Sequence, residues 1–328
     1  MCRVKTLIVT ALCMAPCLAM GQNSSSADGF PSKPVHVIVP FPPGGGVDIV
    51  VRAVAAELDK KWGQRVVVEN KPGAASLIGA DVVARAPADG YTLLATINQT
   101  ITSNRFLFKN IPYDPEKSFA PVSLMTRSDQ ILLANANMPV SSLKELVTKA
   151  SSAKSPFAYG SFGNGSQPHL LYELLKVEKK LDLTHVPYKG VVPALTALAG
   201  GEIQLGLGSA NVAGALIKAG KIKPIAVAGE KRSEVYPDVP TTTEEGFPGL
   251  QASVWYALFA PAGTPAPIVD KISTDVADIL KAPAFTEKHL TPRGLDLVAG
   301  GPEELAAEIQ KDVKLTEAMV RAAGVKPE

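Results

Sequence analysis

The chain has 328 residues, of which 46% are hydrophobic and 20% charged, the composition of a globular protein and more than one hydrophobic core ordinarily supports, so two lobes are expected. Its formal net charge is +2 with no basic run, which excludes the electrostatic footprint of a nucleic-acid or anionic-membrane binder. No segment beyond residue 21 is apolar over membrane length, so no stable membrane insertion is expected.

The first element in chain order is a secretory signal peptide over residues 1–21. Met1-Cys2-Arg3-Val4-Lys5 is a positive start, Leu7 to Met20 is an apolar run too short to span a bilayer, and Ala19-Met20-Gly21 is a small-x-small cleavage site ahead of Gln22. Its removal takes away all three cysteines, Cys2, Cys13 and Cys17, and with them any disulfide, thiol nucleophile or thiolate metal site. Arg3 and Lys5 leave as well, which brings the 33 basic residues to parity with the 31 acids. An anion bound by the mature chain is therefore held by local groups, not by net charge.

From Val35 onward, short β-branched runs alternate with helical patterns, the signature of βαβ units. Val35 to Val39 reads as a strand, and Asp48 to Trp62 as a helix whose Val50, Val54, Leu58 and Trp62 form one stripe. Strand 65–69, helix 75–85, the Asp89-Gly90 turn and strand 91–96 complete half of a doubly wound sheet. Two strand-like halves, Val122 to Leu124 and Ile131 to Leu133, are joined by Arg127-Ser128-Asp129 and read as a segment crossing to a second lobe. There the units are strand 157–159, helix 168–176, strand 183–187, helix 191–199, strand 203–207, a further helix and strand 224–228. After a Pro-rich stretch, strand 253–260 reads as the return crossing, and helices 268–280 and 302–323 cap the first lobe, with Pro302 at a favoured helix start. The expected architecture is α/β, with two doubly wound lobes joined by two crossing strands: residues 22–127 with 253–328, and residues 128–252.

The functional candidates are loops between strands and helices. Phe41-Pro42-Pro43-Gly44-Gly45-Gly46-Val47-Asp48 lies where open α/β sheets bind ligands, at the carboxyl end of a strand and the amino end of a helix. Successive glycines let an anion approach backbone N–H groups. The competing reading is a tight turn with Asp48 capping the helix. Neither a Walker ending nor the third small residue of a dinucleotide fingerprint is present, because Ile49 stands there. No cofactor is expected. Ala74, Ala75 and Ser76 follow the second strand in the equivalent position. In the other lobe, Ser161-Phe162-Gly163-Asn164-Gly165-Ser166 leads into the helix carrying His169. Tyr188, Lys189, Gly190 and Ser209 complete the set, although a surface Lys and a half-buried Tyr explain the first two equally well. Catalytic patterns are absent: there is no His-Glu-x-x-His or Gly-x-Ser-x-Gly, and His36, His169, His185 and His289 lack metal-ligand spacing.

The ordered motifs at Phe41 to Asp48, Glu69 to Ala74, Ala88 to Thr92, Tyr159 to Ser166 with His169, Pro187 to Gly190, Pro237 to Thr241 and Ala260 to Pro265 make the mature chain resemble the Bug-type periplasmic receptors of tripartite tricarboxylate transporters. The resemblance implies a type II periplasmic binding fold with a closing hinge. It also implies a small carboxylate ligand held by the first glycine loop and the 160–166 loop, and a docking partner made of two membrane permease subunits. A monomer in the periplasm is expected, and no metal. Two departures from the family pattern are Val47 in place of Thr and Gln204 in place of Asp. A sensing adaptor for a membrane signalling protein and an enzyme on the same fold stay open as alternatives.

Overall fold

A computed structural model describes residues 27, 29–188 and 190–327. The signal segment 1–21 and Lys189 lie outside the described residues. In chain order the elements are β1 (Val35–Val39), α1 (Gly46–Trp62), β2 (Val66–Asn70), α2 (Leu77–Ala84), β3 (Thr92–Ile97), α3 (Asn104–Leu107) and β4 (Phe119–Asn135). They continue as α4 (Leu143–Ser152), β5 (Phe157–Ser161), α5 (Gln167–Lys179), β6 (Leu183–Pro187), α6 (Val191–Gly200), β7 (Leu205–Ser209), α7 (Ala210–Lys218) and β8 (Ile222–Val227). The last are β9 (Ser253–Pro261), α8 (Ala266–Lys281), α9 (Pro283–Phe285), β10 (Asp296–Gly300) and α10 (Pro302–Ala323).

The β-branched runs pair as two sheets, one in each α/β lobe. β2, β1 and β3 are parallel neighbours; β9 joins β3 antiparallel, β4 joins β9, and β10 pairs with β4 at the edge. In the second sheet β5, β6 and β7 are parallel, and β4 pairs antiparallel with both β7 and β8. Each sheet is covered on both faces, which is why its strands read as apolar runs rather than as alternating ones. One face of the first sheet packs Val47, Val50, Val54 and Leu58 of α1 against Val269, Ile272 and Val276 of α8. The opposite face packs Leu77, Ile101, Trp255 and Leu305. The second sheet has its own two cores, around Tyr159, Tyr172 and Leu175 and around Leu195, Leu198 and Ile203.

The expected crossing segment is a single 17-residue strand, β4. Its residues up to Asp129 pair with β9, and Gln130 to Ala134 pair with β7. The return crossing lies just ahead of β9: Ala252 O accepts from Gln130 N–H, and Ala252 N–H donates to Ala228 O. Helix α10 reaches past the first lobe, where Met319 and Val320 pack on Leu170 of α5.

Strand register places the functional ends of both sheets. Ile97, the last residue of β3, lies opposite Tyr256, and Tyr256 lies opposite Thr126 in the middle of β4. Ser209, the last residue of β7, lies opposite Gln130. The carboxyl ends of the parallel strands in both lobes therefore run toward one short stretch of β4, residues 126–130. β7 begins two residues later than the sequence pattern suggests, which leaves Gln204 before the strand, its Oε1 accepting from Ala158 N–H at 2.8 Å. That end is opposite to the strand's carboxyl end, so the Gln for Asp departure lies away from the loops that follow the parallel strands.

Candidate functional site

The first glycine loop owes its shape to one acid. α1 starts two residues earlier than expected, at Gly46, with Gly45 as its cap. Asp48 is 2% exposed and sits inside the first turn, where its Oδ2 accepts from Gly44 N–H at 2.9 Å. Arg52 pairs with the same carboxylate, and Asn70 Nδ2 donates both to it and to Phe41 O. Burial pushes the Asp48 carboxyl up, and the bonds from Arg52, Gly44 and Asn70 outweigh that and hold it below the usual carboxylate range. Asp48 is thus a brace for the loop, from the first turn rather than from the cap position. Pro42, Pro43, Gly44 and Gly45 are exposed. Val47 is 4% exposed and packed in the core, so a hydroxyl at this position would lie in an apolar cluster; what the residue offers an anion is its N–H. The first intrahelical bond runs from Ile49 N–H to Gly45 O, leaving the N–H groups of Gly46, Val47 and Asp48 without an intrahelical acceptor.

The second loop is unusual in its backbone. Ala74, Ala75 and Ser76 have φ of 45°, 51° and 79°, the left-handed region, in succession. Ala74 and Ala75 are exposed, whereas Ser76 is buried, its Oγ accepting from Thr100 at 2.8 Å. Asn104, which the sequence pattern does not flag, donates to Ala75 O at 2.9 Å and holds the turn from behind.

The third loop is likewise internally braced. Ser166 Oγ donates to Gly163 O and accepts from Phe162 N–H. Gly165 N–H donates to Nδ1 of His169 at 2.9 Å. Ser161 is fully buried, and its Oγ lies 2.5 Å from Nε2 of His185. The His169 and His185 rings stack at 4.1 Å, with Tyr159 on the other face of His185. Burial lowers both imidazoles, His185 to about 4 with His169 adding to the effect, so both are neutral at neutral pH. The contact between buried Ser161 and half-buried His185 braces the loop. Asn164 is exposed at the tip. A Cβ at Gly165 would lie 2.3 Å from Leu107 of α3, so this loop is seated against the first lobe, and only glycine fits.

Of the remaining candidates, Tyr188 donates its N–H to Ser161 O and packs its ring beside the α6 core. Gly190 caps α6 with φ of 120°, and Ser209 caps α7 at the end of β7. The sequence pattern misses the link between lobes: Asn98 of the first and Gln167 of the second both donate to Ser253 O, at 2.9 and 2.7 Å. Loop by loop, the arrangement presents backbone N–H groups at helix N-termini, which stabilise an anion. A cavity of about 910 Å³ lies beside the crossing strands, lined by Arg127, Asp129, Glu230, Asp296, Glu308 and Lys311 and by none of these loops. Its mixed charge suits hinge contacts, not an anion. Among the described residues, no group of three or more His, Cys, Asp or Glu could hold a metal, and no helix is long and apolar enough to cross a membrane.

Two α/β lobes on shared crossing strands, with braced helix N-termini directed to the crossing, define the class of two-lobed periplasmic binding proteins. The chain belongs to the tripartite tricarboxylate transporter receptor family, whose model matches residues 50–325. It is 32% identical to protein BugT of Bordetella pertussis over 302 residues, 92% of each chain. Among solved structures it resembles an R. palustris protein with adipate, at 33% identity and a TM-score of 0.79 over 91% of this chain and 100% of that one. It also resembles MatC from Rhodopseudomonas palustris with bound malate, at 35% identity and 0.73 over 89% and 100%, and the periplasmic binding protein BugD, at 32% identity and 0.75 over 91% and 100%.

Proposed function

We propose that the protein is a periplasmic receptor that captures a small organic carboxylate between its lobes and hands it to the permease subunits of a tripartite tricarboxylate-type transporter. The observation that carries this reading is the convergence of strand ends and braced helix N-termini from both lobes on residues 126–130 of β4. Donors from two bodies around one anion are what a closing clamp needs, and no reacting side chain has to join them. The adipate and malate of the solved relatives support a carboxylate as the ligand class. On this reading the lobes are residues 22–127 with 253–328 and residues 128–252, the chain is exported by cleavage after Gly21, and it works as a monomer without cofactor or turnover.

A micromolar complex needs about 8 kcal/mol, and charge-assisted hydrogen bonds of roughly 1.5–3 kcal/mol each supply that from a handful of N–H groups. The test is differential scanning fluorimetry with amino-acid, aliphatic and aromatic acids beside their amides. Saturable stabilisation by an acid and none by its amide is expected; equal shifts for both would sink the carboxylate reading.

A further inference from the structure

Tyr256 belongs to none of the glycine loops, yet its phenol stands against the one that opens α1. It lies opposite Ile97 on one side and Thr126 on the other, at the point where the strand ends converge. A Cβ at Gly46 would lie 2.1 Å from Tyr256 Oη and 3.0 Å from its Cζ, so the hydroxyl occupies the space that any other side chain at Gly46 would fill. That places it beside N–H groups lacking an intrahelical acceptor. Among the described residues the phenol makes no hydrogen bond, although Tyr256 is only partly exposed. Thr126 shares its face of the sheet, is fully buried, and has an Oγ1 with no partner. Buried hydroxyls are ordinarily paired; Thr126 Oγ1 is not, and the neighbouring Tyr256 phenol, unpartnered among the described residues, stands beside the first N–H groups of α1, which describes a place for a group rich in acceptors.

We infer that Tyr256 is a ligand-binding, specificity-determining residue whose hydroxyl donates to an oxygen of the carboxylate held at the N-terminus of α1. The inference rests on the carboxylate-receptor reading and adds to it a side-chain contact. Burial raises the Tyr256 pKa, which keeps the phenol a neutral donor at neutral pH. The donor balance also bears on selection: the backbone N–H groups donate only, and a carboxylate brings acceptors to them and to the phenol, whereas the NH₂ of an amide adds a donor where few acceptors are offered.

The experiment is calorimetric titration of the wild-type protein and Tyr256→Phe with adipate, malate and a panel of amino-acid and aromatic acids, each beside its amide. The expected result is that an acid bound by the wild type binds the variant about tenfold or more weakly, that discrimination against the amide narrows, and that the ligand-free melting temperature is unchanged. Equal affinity in Tyr256→Phe overturns the role of Tyr256 and leaves the receptor reading intact. Weaker binding accompanied by a lower ligand-free melting temperature and unaltered discrimination assigns Tyr256 to packing, and also overturns it. Failure of the wild type to bind any acid in the panel removes the carboxylate reading and this inference with it.

Discussion

Asn70 donates from Nδ2 to Phe41 O and to Asp48, and accepts from Arg52 at 2.7 Å. One amide thereby ties the end of β2 to the loop after β1, and Asn70→Ala removes all three bonds while leaving the buried Asp48 with fewer donors. The expected loss is about 1–3 kcal/mol in urea denaturation with an unchanged m-value. Gly46 makes a second prediction, in which two effects oppose each other. Alanine is favoured over glycine in a helix by about 1 kcal/mol, but here its Cβ would meet Tyr256 Oη at 2.1 Å, and overpacking costs typically 1–3 kcal/mol. Gly46→Ala should therefore lower the melting temperature, and the same change made in a Tyr256→Ala background should not. A double-mutant cycle reads the difference as a coupling.

At the scale of elements, the loop before α2 stores strain that the neighbouring α3 holds in place. Three consecutive left-handed residues that are not glycine each cost roughly 1–2 kcal/mol, and Asn104 and Thr100 bind the turn. Ala75→Gly relieves one of them at an entropic cost of about 0.5–1 kcal/mol, so the melting temperature should rise slightly. Ala80→Gly, in the buried interior of α2, should lower it. A fall in both would show that Ala75 is not strained. Such strain leaves little trace in sequence, because Ala and Ser are ordinary residues and only the turn's partners force the conformation. Elements set by local pattern are legible to the residue: β6 and α10 have the expected bounds, the latter marked by Pro302. β10 is not, since Asp296 to Gly300 gains its identity from pairing with β4. The α4 helix is marked by Ser142 and Glu145, whose N–H donates to the serine, a capping pattern that was available to be read. The glycine loops are visible as composition. Their braces, Asn70 and Asn104, and the bridging Asn98 and Gln167 are not, because the hydrogen bonds that define them span 18 to 155 positions; Tyr256, set against Gly46 from the far end of the chain, is hidden for the same reason, since all of these contacts depend on strand order.

At the scale of the whole molecule, the crossing strands carry a cavity on which both lobes place charge. Lys311 of α10 pairs with Glu230, which follows β8, and Arg127 of β4 pairs with Glu308 of α10. Asp129 lies among them without a hydrogen bond among the described residues. Burial pushes its carboxyl up to about 6; Asp296 and Glu230 push the same way, while Arg127 and Lys311 oppose them. Asp296, itself raised by burial and by Glu234, faces the same space. The native state thus holds a proton on Asp129 between about pH 4 and about pH 6, where the unfolded chain has already released it. Stability attributable to this group is present below that window and is lost as pH rises through the folded value. Asp129→Asn removes the penalty without changing shape. Relative to wild type, the variant should be more stable by about 1–3 kcal/mol at pH 8 and no different at pH 4 in urea denaturation followed across pH. Because the penalty arises where the lobes meet, a ligand that closes the clamp and buries Asp129 further should shift its titration upward. Binding should then take up protons near pH 6 in wild type and not in Asp129→Asn, which calorimetry in two buffers of different ionisation enthalpy measures directly. Equal proton uptake in the two proteins would place the titrating group elsewhere and uncouple Asp129 from closure.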